Sequence, residues 1–555
     1  MTVYVHDHAE PPPRANERVD DIPLLVAHLR QMDIPRLLDV HIPTRGYWSN
    51  LSLGWVATIW LAHLLSQSDA KMRHVQSWVA THPETLRWCT AQEVLPADVH
   101  DHRLRDVLHL LSDDAQWYAF EGALNRHLLQ TFGLQYEQVR LQRAENCTWQ
   151  VLPEGLLQIG QGRGWRPGTL RLQIVQATLD PWGIPLTTWA ASGRGVGGER
   201  LAAVVAQTQA SLRPGVLYVG DDVGAPEVRA AIQSGGDGYL CQLPGAAAIS
   251  DATLVDGREI QPLALGAGES QPEADGYEWR ETVTALVKGQ AVRWDERRLL
   301  VRSWVHARTA EESLRTRVAR ARGALDALGE RKRGKRRPRT LDALHLAVQD
   351  ILETYEVQGL LTVQYEEAVA ERVVRRYRGR PTSVRVERDM HVSSTVNEAA
   401  LAEAVRQRGW RVYATNLPPD HLPLTRLLTS LTSAPPAFDR LNGRPLSLTP
   451  GSLQRDEYTV GLVRLLSLGL RALILLEIAV QRRLSDEGGV PSPGGGDRRR
   501  AAQHAGERLL DAFRDIVLAS DGSARPGPSV TPLTALQRRV LHLLALTPEI
   551  YQYNG

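Results

Sequence analysis

The sequence predicts an α/β fold: a mixed sheet interrupted by a large insertion, behind an amino-terminal domain built only of helices. Three observations carry this expectation. Up to about residue 135 the apolar residues recur at three- and four-residue spacing, as they do on helices that bury one face. From Tyr136 the pattern changes to short runs of β-branched and apolar residues, YEQVRLQRAE, LLQIG, TLRLQIVQATLD and IPLTTWAAS, each closed by turn residues. Residues 216–219, 225–232 and 239–243 then form a strand, helix, strand pattern whose first strand runs into Gly220, Asp221 and Asp222. In open α/β sheets the carboxyl end of a strand faces a crevice, so Asp221 is the first candidate functional residue.

Bulk properties bound the reading. A chain of 555 residues, 43% of them hydrophobic, has material for roughly two to four domains with real cores. A net charge of +2 says little about partners, because the cations are concentrated locally. Cys89, Cys147 and Cys241 are far apart and odd in number, which excludes a disulfide framework and a CxxC zinc site and fits a reducing, cytoplasmic compartment. The amino terminus is polar and Pro-rich, unlike a signal peptide. Residues 460–480 have the length of a membrane span, but Arg464, Arg471 and Glu477 interrupt them, so a buried helix is expected and no membrane partner.

Taken in order, residues 1–18 are expected as a disordered arm and 19–135 as the helical domain. Within the latter, Leu104, Val107, Leu108 and Leu111 fall on one helical face. His100 and His102 lack the further ligands that a tetrahedral metal site needs, and fit a loop at a helix start. Residues 136–245 hold the first part of the sheet. GQGRGWRPG at 160–168 has neither the following helix nor the Lys-Ser/Thr of a phosphate loop, and is expected as a turn between strands. Residues 246–410 are the α+β insertion, with helices expected at 311–328, 341–355 and 368–377 and a strand at 383–389; WRVYATN at 410–416 returns the chain to the sheet.

Between the first two of those helices stands the run Arg331, Lys332, Arg333, Lys335, Arg336, Arg337 and Arg339, which suits either a solvated loop or a loop that contacts phosphate. Residues 411–485 contain the return to the core and the long apolar helix, 486–500 a Gly- and Pro-rich linker, and 501–555 a helical tail with one helix expected over 506–519.

Several segments then carry a resemblance: VRL at 139–141, RP at 166–167, ATLDPWGIPL at 177–186, SG at 192–193, LYVGD at 217–221, YLCQLP at 239–244, GWRVYATN at 409–416 and FDRLNGRPLSLTP at 438–450. In this order, and over nearly the whole chain, the sequence resembles bacterial insertion-sequence transposases of the Asp-Asp-Glu class that carry a helical amino-terminal domain. The resemblance implies an RNase H-like core with an insertion, a helical DNA-binding domain, double-stranded DNA as partner in the nucleoid, and room for a homodimer. It also implies three carboxylates that hold two Mg²⁺ ions about 3.5 to 4 Å apart for phosphodiester chemistry.

The catalytic positions depart from that pattern. Asp221 matches the second carboxylate. Gln142 stands where the family has its first Asp, and a neutral amide is a poor ligand for a hard divalent cation. Pro435 stands where the family has its Glu, offers no ligand and breaks a helix. Glu145 and Asp222 lie an odd number of strand positions from Gln142 and Asp221, hence on the other face. Asp439 shares a helical face with Pro435 but sits one turn, roughly 5 to 6 Å, further along. Gly164 and Gly198 replace acidic or polar partners that the family tends to carry. The expectation is a transposase-derived DNA-binding protein that has lost strand transfer and needs no cofactor. The alternatives are an active enzyme using Mg²⁺ with Asp439 as substitute ligand, and a scaffold or oligomerisation protein that does not bind DNA.

Overall fold

Prolines and small polar caps start the helices that open the chain. Pro occupies the first turn of α1 (Ile22–Gln31), α2 (Ile34–His41) and α5 (Pro83–Thr90), where its missing N–H costs no hydrogen bond. Ser52 caps α3 (Leu53–Gln67), and Asp113 caps α7 (Asp114–Thr131) by accepting from Gln116 N at 2.9 Å. With α4 (Met72–Ala80) and α6 (Asp101–Leu111) these form the expected helical region, and Leu104, Val107, Leu108 and Leu111 are all buried. The computed structural model describes residues 16–44, 48, 50–149, 155–156, 158–159, 169–192, 195–243, 260–263, 274–287, 289–329, 340–374, 383–420, 439–442, 446, 455–487, 505–519 and 529–553.

A large mixed sheet follows. Its first part comprises β2 (Gln138–Trp149), β3 (Gln158–Ile159), β4 (Thr169–Leu179), β5 (Ile184–Ser192), β6 (Leu217–Val219) and β7 (Gly238–Gln242), where β1 is the short strand Asn16–Arg18. The path across it is β5, β4, β2, β6, β7: β4 is antiparallel to both β2 and β5, whereas β6 and β7 run parallel to β2. Parallel neighbours need crossovers, and α8 (Gly198–Gln209) and α9 (Pro226–Ser234) supply them. The runs containing 139–143, 170–179, 184–190 and 217–219 thus lie in one sheet.

The insertion departs from expectation in two places. A hairpin of β9 (Ala274–Val287) and β10 (Gln290–Ser303), turning at Gly289 with φ +80°, was not foreseen; with β8 (Gln261–Leu263) it extends the same sheet past β13 (Trp410–Thr415), which pairs with β7. Residues 261–263, 274–287 and 290–303 therefore belong to the sheet, and α10 (Trp304–Gly329) follows directly on β10. The module it then builds contains α11 (Leu341–Thr354), a hairpin of β11 (Leu361–Val374) and β12 (Ser383–Val396), and α12 (Glu398–Arg406), with its own core around Leu314, Val318, Leu344, Val348 and Leu401. Of the helix expected at 368–377, residues 368–374 are thus corrected to strand, and 375–377 lie outside the described residues. Its Glu, Ala and Arg content favours helix, but the backbone pairs with β12 from Leu361↔Val396 onward, and cross-strand pairing overrides a weak local propensity.

The carboxyl-terminal part contains α13 (Asp439–Asn442), α14 (Asp456–Asp486), α15 (Ala505–Asp511), β14 (Val517–Ala519), β15 (Ser529–Val530) and α16 (Ala535–Leu543). The single helix expected over 506–519 is broken: Asp515 takes the left-handed conformation at φ +71°, and β14 pairs with β1 and β15. Asn16–Arg18, expected within the arm, are therefore strand.

One apolar core joins the helical region, one face of the sheet and α14, so the amino-terminal helices are not a separately packed domain. The charges that interrupt α14 each have a task. Arg464 donates to Leu111 O at 2.8 Å, pairs with Asp114 and lies over the rings of Trp117 and Tyr118. Arg471 and Glu121, both buried, are 2.6 Å apart, and Arg471 also donates to Pro185 O and Leu186 O, which ties α7 and α14 to the start of β5. Glu477 accepts from Arg440, which is shared with Glu507. Among the described residues no helix is long and apolar enough to cross a membrane.

Candidate functional site

The site is built where β2 and β6 run side by side. In their parallel register Arg140 lies opposite Val219, and the chain beyond Val219 continues along Leu141 and Gln142. Gly220, at φ +132°, makes this close approach: a Cβ there would lie 2.1 Å from Leu141 O. Asp221 then opens a short 3-10 turn, Asp221–Gly224, ahead of α9. Gln142 of β2 and Asp221, just past the carboxyl end of β6, thus come alongside one another, at the position where α/β sheets expose functional side chains.

Their surroundings differ. Asp221 is exposed and makes no ion pair among the described residues. Gln142 is half-buried, lies opposite Gln176 on β4, and keeps its Nε2 buried without a hydrogen-bond acceptor. Gln176 donates to Thr188 Oγ1 at 3.2 Å, and two positions along the strand Arg140 holds Asp180 at 2.8 Å in a buried pair. Tyr413 of β13 packs with Leu217 and Val219 of β6. Burial and, more weakly, the charge of Asp221 push its phenol up, while Arg411 acts in the opposite direction.

The neighbouring residues, Arg143 and Asp222, form an ion pair at the turn, with Arg143 Nη2 at 2.5 Å from Asp222 Oδ1. Strand alternation sets Arg143 on the face opposite Gln142. Asp222 is buried; burial pushes its carboxyl up, and Arg143 opposes the shift. Arg143 was not foreseen as a site residue. Its signal was in the sequence, as the cation directly after Gln142 facing the second carboxylate of a paired Asp-Asp. Gly198 also acquires a packing reason, since a Cβ there would meet Glu227 Oε2 at 2.3 Å where α8 rests on α9.

The remaining site residues are only partly described. Pro435, Gly164 and the run Arg331 to Arg339 lie outside the described residues. Asp439 has its backbone in α13, but its side chain and that of Glu145 lie outside them. Arg440, next to Asp439, is buried between Glu477 at 3.0 Å and Glu507 at 2.8 Å. His100 and His102 stack at 6.2 Å, with His100 Nδ1 2.6 Å from Ala97 O. Among the described residues no group of three or more His, Cys, Asp or Glu side chains is placed to hold a metal ion. Asp221 with a neutral amide beside it and Asp222 already paired is a poor donor set for two hard cations. Comparison with known proteins finds no family model and no curated protein that matches this chain.

Proposed function

We propose that this chain is a transposase-derived protein of the Asp-Asp-Glu insertion-sequence class that binds double-stranded DNA and has lost strand-transfer chemistry. One observation carries the reading: Gln142 lies on β2 and Asp221 just past the end of its parallel neighbour β6, in a sheet ordered β5, β4, β2, β6, β7, an order in keeping with an RNase H-like core, while the next carboxylate, Asp222, is bound to Arg143. In two-metal phosphoryl transfer the ions stabilise the charge on the attacking and leaving oxygens, so loss of an outer carboxylate removes much of the rate. A single Asp221 beside an amide retains one such ligand.

The test is incubation of the full chain with duplex DNA in Mg²⁺ or Mn²⁺, followed for strand cleavage and joining. No product is expected. Gln142→Asp alone should restore nothing, and Gln142→Asp with Pro435→Glu is the smallest change able to raise Mg²⁺ affinity. Metal-dependent cleavage by the unmodified protein that Asp221→Ala abolishes would overturn the inactive reading and make Asp439 the first substitute ligand to examine. The DNA-binding half is tested separately by equilibrium binding to duplex. Salt-dependent affinity supports it, and absence of binding would favour the scaffold alternative.

A further inference from the structure

The seam that closes the helical region is held by residues far apart in the sequence. β1 pairs with β14 from Asn16↔Ala519 to Arg18↔Val517, and the next two N–H groups, of Val19 and Asp20, donate to Ile516 O at 2.8 and 3.1 Å. Asp515 N donates to Asp20 Oδ1 at 2.9 Å, and Arg18 Nε donates to Asp20 Oδ2 at 2.8 Å. A short 3-10 turn, Pro548–Tyr551, lies across the same place: the Tyr551 hydroxyl donates to Asp20 O at 2.9 Å, and its ring stacks on Phe513 at 5.5 Å. Tyr553 carries this strap on to α5, where it donates to Glu84 Oε2 at 2.9 Å and meets Trp88 edge-on. Asp20 and Asp515 both take the left-handed conformation, at φ +46° and +71°, which a residue with a side chain keeps only where its surroundings enforce it.

The carbonyl that Tyr551 holds belongs to the peptide joining Asp20 to Asp21. Asp21 is 4% exposed, and its Oδ1 accepts a hydrogen bond from Ser66 Oγ, near the end of α3, at 2.6 Å. Among the described residues Asp21 makes no ion pair: Arg18 is taken up by Asp20, and the exposed Arg514 pairs with Asp511 at 2.7 Å. A carboxylate without a cation is costly to hold in a dry site, so it either keeps a proton or lets water in. Burial accordingly pushes the Asp21 carboxyl up to about 7 against the Ser66 hydrogen bond, with the charge of Asp20 adding to the rise and that of Arg514 opposing it. Burial and the charge of Asp21 push the Tyr551 phenol up, so its hydroxyl remains a donor throughout that titration.

We infer that Asp21 is the trigger of a pH-sensitive latch. Protonated, it lets β14 and the strap at 548–553 close over β1; ionised, it draws in water and frees them locally while the main core stays folded. Strain stored at Asp20 and Asp515 is released in the same step. Opening uncovers β1 and the first turn of α1, where Ile22, Leu24 and Leu25 are buried in the closed form. The latch is independent of DNA binding.

The experiment is amide hydrogen exchange of the full chain from about pH 5.5 to about 8.5, with each rate corrected for its intrinsic pH dependence. In the unmodified protein the opening of 16–20, 515–519 and 548–553 should rise by up to about tenfold per pH unit below about 7 and level off above it, while the amides of α14 between Leu462 and Leu476 stay protected. Asp21→Asn cannot ionise and should hold the three segments closed at every pH. Ser66→Ala removes a hydrogen bond that favours the ionised carboxyl, so the levelling-off should move to higher pH. Tyr551→Phe should raise the opening at every pH and keep its slope, because it weakens the strap and leaves the trigger in place. No rise in the unmodified protein, or the same rise in Asp21→Asn, would overturn the latch. So would exchange of α14 in step with the strap, which is the mark of global unfolding. If Asp21→Asn does not fold, Ser66→Ala decides: a levelling-off at the same pH as in the unmodified protein overturns the inference, and a shift upward sustains it.

Discussion

Replacing Glu121 by Ala should be among the most damaging single changes in the molecule. Glu121 and Arg471 are both fully buried and 2.6 Å apart, so truncation leaves a guanidinium in the core with only the carbonyls of Pro185 and Leu186 for compensation. Removing one partner of a buried pair costs about 3–5 kcal/mol, because the remaining charge keeps its desolvation penalty. With an m of about 3 kcal/mol/M, this corresponds to a urea midpoint lower by about 1–2 M. Tryptophan fluorescence is a suitable probe, since Trp60 and Trp117 are fully buried in the same core. The double change Glu121→Leu with Arg471→Met should recover most of the loss, because apolar side chains of similar volume replace buried pairs at little cost. A loss under about 0.5 kcal/mol for Glu121→Ala, the range of an ordinary surface substitution, would refute this account. So would a double variant that loses as much as the two single changes added together.

Two further outcomes follow from single residues. Burial pushes the Asp21 carboxyl from 3.8 up to about 7 against a hydrogen bond from Ser66, so the folded state holds a proton that the unfolded state releases. Its contribution to stability is full below pH 3.8 and is lost as pH rises through about 7, at up to about 1.4 kcal/mol per pH unit. His28 and His63, pushed down to about 4 by burial, slope the other way, so the difference between native protein and Asp21→Asn is the quantity to measure. Asp21→Asn should gain on the native protein as pH rises from 5 to 8, and parallel melting curves across that range would refute the assignment. Gly220→Ala should cost about 2–3 kcal/mol or more, from a backbone conformation that L side chains avoid and a contact with Leu141 O; melting at the native temperature would show that β2 and the turn can separate freely.

The sheet around the candidate site was legible because its signals are local. VRL, TLRLQIVQATLD and IPLTTWAAS are rich in β-branched and apolar residues between turn formers, and the strand, helix, strand unit around Asp221 follows a Pro-Gly turn and ends in GYLCQ. What escaped depends on partners distant in sequence. Residues 368–374, part of the stretch that reads as helix from composition, are strand because β12 lies against them. Val517–Ala519 look like the end of a helix until Asn16–Arg18 are placed beside them. At the site, Gln142 and Asp221 could be named from motif positions alone. That Asp222 is occupied needed the geometry, because a salt bridge from β2 to the turn after β6 depends on register and on which way Arg143 points.

The three-stranded sheet of β1, β14 and β15 sets the timetable of biosynthesis. Val19 and Asp20 donate their backbone N–H groups to Ile516 O, and the Tyr551 hydroxyl donates to Asp20 O at 2.9 Å, so the start of the helical region is sealed by residues translated about 500 positions later. At a translation rate of about 5–20 residues per second, the ribosome leaves that edge uncovered for roughly half a minute to a minute and a half. During that interval α1 and α3 await α14 as well, with their leucines open to other nascent chains. A message that terminates early would therefore yield not a smaller working helical unit but a polypeptide with an unfinished core, suited to capture by chaperones or proteases.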